Sequence, residues 1–521
     1  MQFIADADEA KEIDGISIHE IGIPSFVLME RASLSVADCV LAFAEKGADR
    51  ILVVCGMGNN GGDGVACGRI LAEKGFSVAV LLLGQEKKAS EEMKQQLLIA
   101  RNLSIPVITT ALPSEYTIII DAVFGIGLSR DITGEYAEWV RKINTSGAVI
   151  VSVDIPSGID ASTGKVLGAA IRADYTVTFG VKKRGLVLFP GMQYAGQVIV
   201  ADIGFPAMAV EKVKPKAVSY GREDILTLFP KRIPRSNKGS YGKILVIAGS
   251  AQMSGAAFFA AAAAYRMGSG LVKILTHENN RTMLQANLPE ALLSTYDGTE
   301  LFGKGEAAGK GDGKAFSFGK RLAEELQWAT TVIIGPGLGQ SDTAYFFLKQ
   351  VLTLRDIPVL VDADGLNLLA KVLEGGDDTL NSIESDGRHF QLPGNFLLTP
   401  HLKEMSRLVK RSVEQIKDDM PAACQHISGA VLALKDARTI VSDGERLYIN
   451  QSGNNALAKG GSGDVLSGMI GGLLALGMPS FEAASLGVYL HGLTAEEYVG
   501  KRGFSSMLAS DILEELKNLL P

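Results

Sequence analysis

Short apolar runs rich in β-branched residues alternate with longer amphipathic stretches along most of this chain. In the first half the runs are RILVVC (50–55), FSVAVLLL (76–83), YTIIIDAV (116–123), GAVIVSVDI (147–155) and ADYTVTFG (173–180). Their continuous hydrophobicity reads as parallel strands buried on both faces. Helical patterns such as EEMKQQLLIARNL (91–103) lie between them. This alternation predicts an open parallel sheet flanked by helices, with ligands beyond the carboxyl ends of the strands.

The pattern weakens over 205–222, FPAMAVEKVKPKAVSYGR, which marks a domain boundary. It resumes with KILVIAG (243–249), LVKILT (271–276), TVIIGPG (331–337), PVLVDAD (358–364), NFLLTP (395–400) and AVLALKD (430–436). RTIVSDGERLYIN (438–450) reads as an antiparallel hairpin about Asp443 and Gly444. The Gly- and Lys-rich segment 303–319 predicts a mobile surface loop. Its Gly309-Lys310 is not the end of a Walker loop, because Lys304 and Gly311 stand where Gly and Ser or Thr are needed.

A chain of 521 residues, 47% hydrophobic, has material for two to four domains. Its net charge of −7 argues against a nucleic-acid binder. The four cysteines form no CxxC pair, so neither a zinc site nor a dithiol site is signalled, and a reducing cytoplasmic setting fits. The acidic start MQFIADADEAKEID reads as no signal peptide, and GAAFFAAAAAY (255–265) is too short to span a bilayer. Neither nucleic acid nor membrane is therefore an expected partner, small-molecule ligands stay open, and a homo-oligomer is the expected assembly because most soluble oligomers are of that kind.

Chemistry concentrates at strand ends. CGMGNNGGDGVACGRIL (55–71) satisfies GxGxxG through Gly56, Gly58 and Gly61, but the next strand ends Leu83-Gly84-Gln85, without the acid of a dinucleotide Rossmann site. Asp121 and Asp154 each end a strand beside a Gly-rich loop, so Asn60, Asp121, Asp154 and Ser157 can converge in one crevice. Ser157 lies outside a nucleophile elbow, since Ile155 replaces the required Gly, and takes a ligand role. Late in the chain, GGSGDVLSGMIGGLLAL (460–476) runs from a glycine turn into an apolar helix, with Asp464 at the junction. Unpaired N–H groups there cradle anionic oxygen, and the carboxylate is placed to take a proton from a hydroxyl attacking phosphorus.

With NNGGDG (59–64), DAVFGIG (121–127) and DIPSGID (154–160), residues 1–208 resemble the NAD(P)H-hydrate epimerase domain of amino-terminal YjeF type. With RSNKGSYGKILVIAGS (235–250), GPGLG (335–339), VDADGLNLL (361–369), TPHLKEMSRL (399–408) and NALAKGGSGDVLSG (455–468), residues 218–517 resemble the carboxy-terminal YjeF domain, an NAD(P)H-hydrate dehydratase of ribokinase-like fold. The resemblance implies an α/β protein of two domains, a Rossmann-like parallel sheet followed by a ribokinase-like domain. The implied activities are epimerisation of the R and S hydrates, and ADP-dependent dehydration of the S hydrate through a phosphorylated intermediate.

The resemblance also implies the site residues. Asn59, Asn60, Gly61, Gly62 and Asp63, the loop Gly125, Ile126, Gly127, Leu128, Ser129, Arg130 and Asp131, and Asp154 would contact the hydrate, with Asp154 giving acid/base help. K+ would be held by Asn60, Asp121 and Ser157. In the second domain Asp464 would be the base, with Ala256, Gly337 and His401 at the substrate. Lys435, Asp436, Ala437, Arg438 and Thr439, with Gly461, Ser462 and Gly463, would hold the nucleotide. Mg2+ would balance the phosphates, and Glu404 would orient its waters or stand as a solvated helix residue. Relatives often carry Pro-Gly after the His of TPH, where Leu402-Lys403 stands here. Two other readings remain open from the residues: a small-molecule kinase sharing the Asp464 cradle, and a non-catalytic binding role for the first half.

Overall fold

The computed structural model describes residues 1–298, 311–375 and 390–520, and contacts divide the chain into Phe3–Val218 and Ser219–Pro521 with Met1–Gln2. Both units are α/β.

The first unit is built on a seven-stranded parallel sheet. Its order is Val107–Ile108, Ser77–Leu82, Arg50–Cys55, Ile118–Ala122, Val149–Val153, Tyr175–Phe179 and Gln197–Ala201. The strand Arg50–Cys55 shows why its sequence is apolar throughout. Ile51, Val53 and Cys55 enter the core on one face, while Leu52 and Val54 enter the core on the other, with Trp139 and Ile143. Strand order reverses between Arg50–Cys55 and Ile118–Ala122, so the loops after these two strands open a crevice at the switch point.

In the second unit seven consecutive parallel strands run Leu292–Tyr296, Leu271–His277, Lys243–Ile247, Thr331–Ile334, Val359–Val361, Phe396–Leu398 and Val431–Leu434. The hairpin Ile440–Ser442 and Leu447–Ile449 continues the sheet antiparallel. Because the seven strands are parallel, Gly335, Asp362, His401 and Lys435 all follow carboxyl ends on the same side. The helix Ser254–Arg266 packs against the helix Ser462–Ala475, where Gly468 and Gly472 lie against the backbone carbonyls of Ala260 and Ala264.

One local expectation changes. Residues 303–310 of the expected loop lie outside the described residues, and 311–319 belong to the helix Gly311–Trp328. The boundary segment 205–222 holds the helix Ala207–Val213 and the strand Ala217–Ser219. No described helix is long and apolar enough to cross a membrane.

Candidate functional sites

The crevice of the first unit is a cavity of about 1430 Å³. Asn59, Asn60, Asp63, Gly125 to Arg130 and Asp154 line it, so most of the expected hydrate contacts come together. Asn59 and Asn60 open the helix Asn59–Glu73, and Asp63 is its fifth residue, just past the first turn. Gly61 and Gly62 do not line the cavity. A Cβ on Gly61 would sit 2.1 Å from Gly56 O, and one on Gly62 would sit 2.7 Å from the Met29 methyl, so both glycines serve close packing. Asp131 is exposed and also outside the lining.

Asp154 adopts φ 66°, a left-handed conformation uncommon for a residue with a side chain. Three donors converge on its Oδ1: Lys183 Nζ at 2.5 Å, Thr178 Oγ1 at 3.1 Å and Phe179 N at 3.1 Å. Lys183 is itself buried and also donates to Phe179 O at 3.0 Å. Asp14 lines the same cavity from the helix Ala7–Gly15. Burial and then the charge of Asp154 push the Asp14 carboxyl up, and burial with Asp154 and Asp14 pushes Asp63 well above the ordinary carboxylate range.

Asp121 and Ser157 lie behind the cavity wall. Asp121 is 0% exposed and accepts from Ser152 Oγ (2.8 Å), Ser157 N (2.8 Å), Ser157 Oγ (2.6 Å) and Val123 N (3.4 Å). All four donors are neutral, and burial pushes the carboxyl up despite them. Asn60 lies against the loop that follows Asp121, since its Oδ1 is 3.1 Å from where a Cβ on Gly125 would stand, and its Nδ2 is buried with no hydrogen-bond partner among the described residues.

The second site gathers at the carboxyl strand ends. Gly461 caps the helix Ser462–Ala475 at φ 90°, and a Cβ there would meet Ala509 at 2.9 Å and Phe259 at 3.0 Å, so only glycine makes this turn. The first intrahelical bond runs from Val465 N to Gly461 O. Ser462 N is already committed to Lys459 O at 3.3 Å, so the first-turn N–H groups without a backbone acceptor are those of Gly463 and Asp464. His491, on the helix Ser480–Arg502, places Nε2 3.1 Å from both Ser462 O and Ser462 Oγ. Burial lowers its pKa to about 4, so it is neutral near pH 7.

Asp464 lies in the first turn of that helix. Burial first, and then Asp362, raise its pKa to about 6, with Lys435 opposing. Lys435 Nζ lies 3.7 Å from where a Cβ on Gly463 would stand and donates to Asp362 Oδ1 at 2.7 Å. Lys435 is paired in register with His401, and its N–H bonds Pro400 O at 2.8 Å, so the two residues are neighbours.

His401 caps the helix Leu402–Val409. Its Nδ1 accepts from Lys403 N and Glu404 N, both at 3.1 Å, while Glu404 Oε2 accepts from His401 N at 2.8 Å. Leu402-Lys403 therefore occupies the first two helical positions without disturbing this reciprocal cap. Glu404 is buried, and burial raises its pKa to about 7, so it is no solvated helix residue. Ala256 and Gly337 also meet, with the Ala256 Cβ 2.7 Å from where a Cβ on Gly337 would stand. Asp436 and Ala437 are exposed, Arg438 Nη1 bonds Gln451 O at 3.0 Å, and Thr439 O accepts from Asn450 N.

Sequence reasoning left four of these residues without a role. The strand-end rule that selected Asp121 and Asp154 also applies to Asp362. Lys183 closely follows the run 173–180, whereas Asp14 and His491 stand in helical stretches with no local signal.

Comparison with known proteins assigns a family model to each unit. Residues 25–185 match the model described as YjeF-related protein N-terminus, and residues 244–518 match NAD(P)H-hydrate dehydratase. A bifunctional NAD(P)H-hydrate repair enzyme of Thermofilum pendens is 34% identical, the alignment covering 99% of this chain and 96% of the relative. Its counterpart in Coxiella burnetii is 33% identical over 98% of each, and that of Escherichia coli is 32% identical over 99% of this chain and 93% of the relative. Among solved structures, the ADP/ATP-dependent NAD(P)H-hydrate dehydratase from Bacillus subtilis is 29% identical at TM-score 0.45, covering 57% of this chain and 96% of that one.

Proposed function

The chain belongs to the family of bifunctional NAD(P)H-hydrate repair enzymes, and from that premise we propose how its two sites divide the work. The first unit interconverts the R and S hydrates of NADH and NADPH. The second dehydrates the S hydrate to the reduced cofactor, coupled to hydrolysis of ADP to AMP and phosphate. The observation that carries the second assignment is Asp464 at the head of a glycine turn, with the Lys435 ammonium beside Gly463.

The hydrate carries a hydroxyl on the ring carbon next to nitrogen. Hydroxide is a poor leaving group, as the pKa of about 15.7 for water indicates. Asp464, ionised above about pH 6, takes the hydroxyl proton as the oxygen attacks the terminal phosphorus of the nucleotide. The N–H groups of Gly463 and Asp464 and the Lys435 ammonium receive the charge of the transferring phosphoryl group. The phosphorylated hydroxyl then leaves as phosphate, driven by the ring nitrogen's electron pair, and loss of a proton from the adjacent ring carbon restores the double bond. Neutral His491 fixes Ser462 without adding charge to the cradle. Mg2+ would supply counter-charge to the nucleotide phosphates, and the buried carboxylate of Glu404 is the residue that would orient its waters.

In the first unit Asp154, held by Lys183, provides the acid/base group for exchanging the hydroxyl configuration. K+ would be held by Asn60, Asp121 and Ser157, where it supplies a positive charge. The fit rests on a fully buried carboxylate whose donors are all neutral, with the Asn60 amide oxygen close to Gly125 in the loop that follows it. Four buried free cysteines suit a reducing compartment, the cytoplasm.

The test supplies each separated hydrate epimer with ADP or ATP and follows the return of reduced-cofactor absorbance. Asp464→Asn abolishes that return, and Asp154→Ala abolishes use of the R epimer alone. A stable phosphorylated product would instead make the second unit a kinase.

A further inference from the structure

Asp362 has no role in the chemistry derived above. It ends the strand Val359–Val361, is 1% exposed, and has both carboxylate oxygens engaged. Oδ1 accepts from Lys435 Nζ at 2.7 Å, and Oδ2 accepts from Ser467 Oγ at 2.5 Å. Ser467 lies three residues beyond Asp464 on the same helix, and its hydroxyl is also 3.1 Å from Gly463 O, within the cradle itself. One carboxylate thus joins two elements remote in sequence. The first carries the cation of the phosphate site, the second the base for the hydroxyl.

Lysine is a point charge on a flexible four-carbon stem, so its position must be imposed by a partner. It has three N–H donors, and the bond to Asp362 uses one of them. The ammonium is only partly withdrawn from solvent, with 20% of its side-chain surface exposed, while Asp362 is almost fully enclosed. The anchored end is therefore the buried one, and the open end faces the cradle. On the other arm, the Ser467 bond sets the rotation of the first helical turn, and with it the direction of Asp464. Phosphoryl transfer depends on such alignment, because misplacement by about 1 Å can cost about 100-fold in rate.

We propose that Asp362 is a positioning residue of the dehydratase, fixing Lys435 and the Asp464 turn in one mutual geometry so that phosphate and hydroxyl meet in line. The proposal rests on the reading of Asp464 as the base. It assigns to the strand-end carboxylate the task that a lysine–glutamate ion pair performs in protein kinases.

The experiment uses the full chain with S hydrate, ADP and Mg2+, and measures kcat and KM for Asp362→Asn, Ser467→Ala, Lys435→Met and the double variant Asp362→Asn/Lys435→Met. Asp362→Asn lowers kcat about 100-fold while the KM for hydrate stays within about twofold. In the Lys435→Met background the same change costs clearly less than about 100-fold, because one of the two groups it positions is already gone and only the Ser467 arm is left to lose. An Asp362→Asn enzyme within about threefold of the parent, or penalties that multiply in full in the double variant, would overturn the proposal. Should Asp362→Asn fail to fold, Ser467→Ala decides, since it severs one arm without removing a charge, and an unchanged kcat there is fatal. An active Asp464→Asn enzyme sinks the reading of the base itself. An inactive one beside a normal Asp362→Asn enzyme sinks only the positioning role.

Discussion

Acidification should silence the dehydratase far above the pH at which an ordinary aspartate protonates. Burial, reinforced by Asp362 and Asp364 against Lys435, raises Asp464 from 3.8 to about 6. Keeping that carboxylate ionised in its site costs about 3 kcal/mol relative to water. A base must be deprotonated to act, so the rate is full above this pKa and falls as pH drops through it. With a pKa of about 6, about a tenth of Asp464 is ionised at pH 5, and kcat should fall to about that fraction of its plateau. An unperturbed aspartate would keep about nine-tenths of its activity there.

The assay is the initial return of reduced-cofactor absorbance from purified S hydrate with saturating ADP, with an enzyme-free blank at each pH because the reduced cofactor is itself acid-labile. Glu404, raised to about 7, titrates nearby and must be separated. Asp364→Asn removes one of the charges that raise Asp464, so it moves the acid limb to lower pH, whereas Glu404→Gln leaves that limb where it is. A parent profile flat from pH 7 to pH 5 would refute the assignment of a raised-pKa base.

Three further outcomes follow from the same geometry. Asp464→Asn should be more stable than the parent near pH 7, by no more than about 3 kcal/mol. The raised carboxyl contributes stability that is present below 3.8 and lost as pH rises through about 6, so denaturant midpoints of the two proteins should converge below about pH 4. Lys183→Met strips the cation from buried Asp154 and should slow epimerisation at least about 100-fold, with dehydration of supplied S hydrate unchanged. Replacing K+ by Li+ should slow epimerisation and leave dehydration intact, and an epimerase indifferent to the cation would remove Asp121 from that role.

The strands legible in the sequence were those with uninterrupted apolar runs, because only strands covered on both faces need them. Gln197–Ala201 and Leu292–Tyr296 escaped notice for the converse reason: each lies at the edge of its run of parallel strands and is only partly buried. The helix Gly311–Trp328 was hidden by glycines at its start, each disfavouring helix by about 1 kcal/mol, a local preference that the rest of the helix overrides. At the sites, Asp464 and Asp154 were legible because each ends a pattern. Asp14 and His491 were not, since only the fold brings them to their cavities. Ser462 shows the remaining gap, because a glycine turn announces an anion cradle without telling which of its N–H groups is already spent.

The seam between the helices Ser254–Arg266 and Ser462–Ala475 bears on heat tolerance. Backbone lies against backbone there, since a Cβ on Gly468 would fall 2.1 Å from Ala260 O and one on Gly472 3.1 Å from Ala264 O. Such a joint has no intermediate setting: the base-bearing helix is either seated or detached. Gradual loosening of the dehydratase on warming is thus denied to it, and its inactivation curve should overlay the cooperative melting of the unit that contains it.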